Sequence, residues 1–183
     1  MCARTGIPRL ISIIGRKNAG KTTLLVALAA AFVRRGLDVA TLKHGHHPAA
    51  ADQQGKDTWR HYHEGGARRV MIESPGGRVL FERTPSESDP FTLARRYLDG
   101  ADIILLEGFK RFPIPKIEVH RQAIAQPPLI VTDPDLPGGW VALLTDQRDI
   151  RVSCSCFLFS DTSWLQMLAT VALDKALPLD QAP

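Results

Sequence analysis

Cysteine is scarce: the 183-residue chain has three, Cys2, Cys154 and Cys156. An odd number with a single C-x-C pair does not make a disulfide framework. As a soft-metal site the pair lacks a second pair, so buried or idle thiols are the plainer reading. Long apolar runs are missing too. The longest, Leu24–Val33, is ten residues, where a bilayer-spanning helix needs about 20. Met1–Pro8 has no apolar core of the signal-peptide kind. No Lys/Arg block stands out, so the net charge of +4 does not read as a nucleic-acid arm. Internal repeats and low-complexity linkers are absent as well. These absences predict a cytoplasmic protein with neither a membrane nor a nucleic-acid partner. They also predict a single domain over residues 1–183 with a frayed tail at 178–183.

What is present begins with Gly15-Arg16-Lys17-Asn18-Ala19-Gly20-Lys21-Thr22, a full match to G-x-x-x-x-G-K-[ST]. It follows the apolar run Leu10–Ile14 and opens a helical pattern over Thr23–Arg35, the strand–loop–helix context of a phosphate-binding loop. Gly15 and Gly20 let the backbone curl, so that the amides of Lys17, Asn18, Ala19 and Gly20 can face phosphate oxygens. The helix start at Lys21, Thr22 and Thr23 adds unpaired N–H groups and a positive dipole end. Lys21 would reach the outer phosphates, and the Thr22 hydroxyl would ligate the Mg2+ that accompanies them.

The rest of the chain alternates strands and helices. Val39–Lys43 is a second strand, expected to neighbour the loop-bearing strand through a right-handed crossover. Lys56–Glu64 reads as a short helix capped by Asp57 or Thr58. Val70–Glu73 and Arg78–Glu82 flank Ser74-Pro75-Gly76-Gly77 as a hairpin. Asp89–Leu98 is helical, and Ile103–Leu106 is a strand buried on both faces. Further strands are expected at Ile117–His120, Leu129–Thr132, Trp140–Leu144 and Cys156–Phe159. A last helix is expected over Trp164–Leu177, capped by Asp161 or Thr162. The fold class is α/β: a three-layer P-loop NTPase fold with a mostly parallel sheet and an antiparallel excursion near residues 70–82. The loops after Ile14, Lys43, Leu106 and Thr132 would then face one site beyond the strand ends.

Asp102-Ile-Ile-Leu-Leu-Glu107-Gly108 is a buried strand ending in a carboxylate. Glu107 is placed to hold Mg2+ or to orient an attacking water, and Asp102 lies at the wrong end of the strand. Between Lys43 and Arg60 the chain carries Lys43, His44, His46, His47, Asp52, Lys56, Asp57 and Arg60. The histidine spacing does not suit structural zinc. A loop ordering over an anionic ligand suits it better, with His44 on the nucleotide and Asp52 or Asp57 at the magnesium or a water. Asp57 as a plain helix cap remains open. A carboxylate can accept both N–H groups on guanine's edge, and Asp133 after the Leu129–Thr132 strand is a candidate for that contact. There is no N-K-x-D, so the base preference stays open on these residues.

Taken together, GRKNAGKTT at 15–23, TLKHGHH at 41–47, D-x-x-GKDTWRH from Asp52 to His61 with the following EGGA, and DIILLEGFK at 102–110 resemble the MobB family, molybdopterin-guanine dinucleotide biosynthesis protein B. Past Lys110 the likeness is looser, with Lys116-Ile-Glu118-Val-His120 its clearest piece. The bland tract Pro48–Ala51 departs from the family pattern. The resemblance implies a GTP-binding protein with weak hydrolysis that assists MobA, the guanylyltransferase that attaches GMP to molybdopterin. It also implies a homodimer and favours guanine, hence Asp133. Direct contact with molybdopterin is a further expectation without named residues. The competing readings are a P-loop small-molecule kinase, for which no lid-like insertion is evident, and an ATP-dependent adaptor.

Overall fold

In the computed structural model, residues 6–45 and 53–183 are described. They divide into two compact units, one formed by the chain up to His44 together with Asp89–Pro183, the other by Gly45–Ser88.

The larger unit is built on a sheet of seven strands among the described residues, in the order β2-β5-β1-β6-β7-β8, with β9 beside β1. The strands are β1 (Arg9–Ile14), β2 (Val39–Lys43), β5 (Ile103–Glu107), β6 (Lys116–Val119), β7 (Trp140–Thr145), β8 (Ser155–Leu158) and β9 (Leu177–Pro178). Every pairing is parallel except β9 on β1. Parallel pairing needs crossovers, and these put apolar helices on both faces of the sheet.

Alternation along the central strands assigns the two faces. Ile11, Ile13, Ile103, Leu105, Ile117 and Val119 pack against Leu28 and Phe32 of α1 (Lys21–Arg34) and Leu168 and Ala172 of α5 (Trp164–Lys175). Leu10, Ile104 and Leu106 pack the other way, with Phe91 and Ala94 of α3 (Pro90–Tyr97) and with Ile114. This is the expected three-layer α/β architecture. Asp89 caps α3, accepting the Thr92 amide at 2.8 Å.

Several expectations are corrected. β2 does not neighbour β1: β5 lies between them. Leu129–Thr132 is a single helical turn, α4, rather than a strand. The cause is Glu118, whose buried carboxylate accepts the amides of Leu129 and Ile130 at 2.6 and 2.9 Å and so starts a turn after Pro128. The strand that reaches the sheet's carboxyl edge there is β7, ending at Thr145. The tail is not frayed. Leu177 and Pro178 pair with β1, Leu179 is buried, and Arg95 donates to the carbonyls of Leu179 and Ala182. α5 starts after Ser163, not Asp161 or Thr162, and has no side-chain cap.

The smaller unit holds α2 (Asp57–His63) and the hairpin of β3 (Arg69–Ser74) and β4 (Gly77–Glu82), the expected antiparallel excursion. The α2 cap is Lys56, in extended backbone, not Asp57 or Thr58; Asp57 is the first helical residue. Tyr62 of α2 meets Phe81 edge-on, and Arg83 lies over the Tyr62 ring at 4.1 Å.

One charge is sunk in the larger unit. Lys116 is fully buried, and its ammonium donates to the carbonyls of Phe112 and Ile114 at 2.8 Å each and to that of Pro137. Burial pulls its pKa down to about 8. The three carbonyls belong to the loops before β6 and before β7, so one side chain fastens both. Lys116→Met should therefore cost about 2–3 kcal/mol, the order expected when buried acceptors lose a charged donor. The readout is the denaturant midpoint, and an unchanged midpoint would show that the loops do not depend on this contact.

Candidate functional site

β1 delivers the chain to the sheet's carboxyl edge, where it turns through three positive φ values: Gly15 at 148°, Asn18 at 65° and Gly20 at 100°. Gly15 cannot be replaced freely, because a Cβ there would overlap the Val119 carbonyl of β6. The loop is thus seated directly on the neighbouring strand. Ala19 is buried beneath it, while Lys17 and Asn18 are exposed at its crown. Gly20 precedes α1 without any side-chain cap, leaving the first amides of Lys21, Thr22 and Thr23 to the loop's concavity.

The Lys21 ammonium folds back over the loop, donating to the carbonyls of Gly15 at 3.2 Å and Arg16 at 2.9 Å. Burial lowers its pKa from the ordinary lysine value; Glu107's charge opposes that shift and Lys43's adds to it. A partly buried ammonium beside the uncapped start of a helix would be drawn to an anion.

Glu107 closes the site from β5. It is 8% exposed, yet its carboxylate is fully engaged: Thr22 Oγ1 donates to Oε2 at 2.8 Å, and Lys43 Nζ lies 3.2 Å from Oε1. The sheet register explains the meeting, since Ile13 and Lys43 stand opposite Glu107 on its two sides. The role of Lys43 was not legible as a role. Its position one residue before the loop after β2, level with a strand-end acid, was the available signal. His44 is also here, its amide on the Glu107 carbonyl at 3.0 Å and its ring 5.1 Å from that of Phe109.

A hydroxyl and a carboxylate side by side next to an N–H-rich loop are the oxygen set a small hard cation uses when phosphates and water complete its shell. Thr22 and Glu107 therefore fit Mg2+. No cluster of three or more His, Cys, Asp or Glu side chains able to hold a metal occurs among the described residues. Asp52, His46 and His47 lie outside those residues. Asp57 sits in the smaller unit at the start of α2, lining an open cleft of about 440 Å³ with Arg60, His61 and Glu64.

Asp133 follows α4 and is exposed, accepting the Thr132 hydroxyl at 2.8 Å. Arg16, from the glycine loop, reaches the same segment, donating to Thr132 Oγ1 and to the Pro127 carbonyl at 3.3 Å. A set along β6 and just past it, quoted in the family likeness without a role, is buried at alternate positions: Lys116, Glu118 and His120. Polar residues at i, i+2 and i+4 of an apolar strand were the signal. Burial raises the Glu118 pKa, and the two amides it accepts oppose that rise. Cys154 and Cys156 are free thiols, and burial pushes the Cys154 pKa up to about 11; Cys2 lies outside the described residues. No helix among the described residues is long and apolar enough to cross a membrane.

Comparison with known proteins agrees with this arrangement. Residues 10–146 match the family model of molybdopterin guanine dinucleotide synthesis protein B. The molybdopterin-guanine dinucleotide biosynthesis adapter protein of Haemophilus influenzae is 37% identical over 119 residues, 64% of this chain and 66% of that protein. The adapter protein of the same name from Escherichia coli is 31% identical over 162 residues, 82% of this chain and 91% of that protein. A crystal structure of a MobB protein homolog from Bacillus stearothermophilus superposes with a TM-score of 0.65 at 23% identity, covering 88% of this chain and 95% of that one. With the family model spanning most of the chain and the loop, β5 and β6 all inside it, this protein belongs to the MobB family.

Proposed function

We infer that the protein binds GTP with Mg2+ and serves as an accessory factor, with at most slow GTPase activity, in the biosynthesis of the molybdopterin guanine dinucleotide form of the molybdenum cofactor. The partner is a MobA-type guanylyltransferase. The observation that carries the reading is the Thr22 hydroxyl on the Glu107 carboxylate, next to a glycine loop over which Lys21 folds and the uncapped start of α1. In this reading the amides of residues 17–22 and Lys21 hold the β- and γ-phosphates. Thr22 and Glu107 would hold the metal, which would supply charge neutralisation for the bound phosphates. Glu107 also orients a water toward the γ-phosphate. Lys43 and His44 keep the Glu107 strand end in place. The adapter names of the relatives support the pathway, and the mildly basic composition suits an anionic ligand.

Homodimerisation belongs to the same reading. The hairpin leaves Met71 and Leu80 exposed opposite each other on one face, as a pairing surface would. A cytoplasmic location and contact with molybdopterin follow from the pathway. A small-molecule kinase is the competing reading, and release of phosphate that depends on an added acceptor would favour it.

Two variants separate the roles. Lys21→Ala should abolish binding of Mg-GTP in a calorimetric titration, and retained affinity would remove the loop from the nucleotide. Glu107→Gln should keep binding within about threefold while cutting phosphate release about a hundredfold, the scale of a lost positioning base. Unchanged phosphate release in that variant would reduce Glu107 to a structural ion-pair partner of Lys43 and Thr22.

A further inference from the structure

His120 extends the polar face of β6 past Val119. It is 3% exposed, and its Nδ1 is the one buried side-chain nitrogen or oxygen among the described residues without a hydrogen-bond partner. Such an orphan is costly, and in a native protein it points to a missing partner. Burial pulls the imidazole's pKa down, with Asp146 and Gln147 opposing. The neutral ring can serve as donor or as acceptor according to its tautomer.

His120 lines an open cavity of about 500 Å³, within the usual span for small-molecule sites. Pro127 and Ile150 supply apolar walls, while Gln147, Asp149 and Arg151 supply polar edges. Apolar walls with an amide and a carboxylate at the edge and a buried imidazole suit a heterocycle that carries both donors and acceptors. The cavity also adjoins the glycine loop. The Val119 carbonyl, one residue before His120, lies against Gly15, and Arg16 donates to the Pro127 carbonyl in the cavity wall.

We propose that this cavity takes the nucleobase of the nucleotide whose phosphates the glycine loop holds, with His120 Nδ1 as the buried partner of the ring and Asp149 as the acceptor for guanine's N1–H and amino group. The proposal rests on the nucleotide reading given above. It assigns the base contact to the loop after β7, whereas Asp133 stands at the end of α4 with the Thr132 hydroxyl.

The test titrates the full chain with Mg-GTP, Mg-ATP and Mg-tripolyphosphate, the last having no base. His120→Ala should weaken GTP about tenfold and leave tripolyphosphate within about twofold. Asp149, being exposed, can be changed without touching the core, and Asp149→Asn should bring the GTP-to-ATP affinity ratio toward one. Equal weakening of GTP and tripolyphosphate by His120→Ala, or of neither, overturns the proposal. So does loss of guanine preference in Asp133→Ala with Asp149→Asn unchanged. Wild-type protein that binds tripolyphosphate as tightly as GTP keeps the phosphate cradle and sinks the base cavity. Binding of none of the three sinks the nucleotide reading itself.

Discussion

The Glu107 carboxylate is shared between the Thr22 hydroxyl and the Lys43 ammonium, and much of the larger unit is arranged so that this can happen. A carboxylate at 8% exposure would be expensive without partners. Its partners come from two other segments, the start of α1 and the end of β2. They converge because β1, β5 and β2 run parallel and in register, so that their carboxyl ends finish at one level. Parallel order in turn requires the crossover helices and the two apolar layers they cover. Each of Ile103, Ile104, Leu105 and Leu106 is fully buried in those layers, contributing on the order of 1.5–3 kcal/mol apiece. The chemistry of the site thus depends on a core that touches none of the reacting groups.

β6 does a different job. Its residues on one face, Ile117 and Val119, join the apolar layer under α1 and α5. Its other face is polar and buried: Lys116 bonds the segments 112–114 and 137, Glu118 the start of α4, and His120, just past the strand, lines the cavity with Gln147. A strand next to the glycine loop therefore sets the height and angle of the surfaces around it. Buried ionic groups are poor stabilisers compared with apolar ones of equal size, so their presence here fits the positioning of loops better than it fits core strength.

The glycine loop, the β5 carboxylate, the hairpin and the α/β layering were legible in the sequence, because each depends on local pattern: fixed motif spacing, an unbroken apolar run, a turn cluster between two short strands. Leu129–Thr132 was not. Four apolar or β-branched residues read as a strand, and only a carboxylate eleven positions upstream, Glu118, turns them into a helical start. The adjacency of β2 to β5 is likewise a property of the whole sheet. The tail misled for the opposite reason, since a short Pro- and Asp-containing segment gives no local hint that Leu179 finds a pocket and that its amide reaches the Pro8 carbonyl at 2.8 Å. Lys43, His120 and Asp149 acquire their meaning only from what the sheet sets beside them.

One face of the hairpin carries Arg69 against Glu82 at 2.7 Å, then Met71 against Leu80, then Glu73 against Arg78 at 2.8 Å. Two cross-strand ion pairs bracket one apolar pair on a sheet that has two strands among the described residues. Charges of this kind act as gatekeepers against indiscriminate strand addition; the Glu73–Arg78 pair is exposed on both sides and is screened once the Debye length falls to a few ångströms, whereas the Glu82 carboxylate is largely shielded from solvent. The ribbon's selectivity for what it sticks to is therefore ionic-strength dependent, and concentrated salt is the condition under which this face is least able to refuse a wrong neighbour.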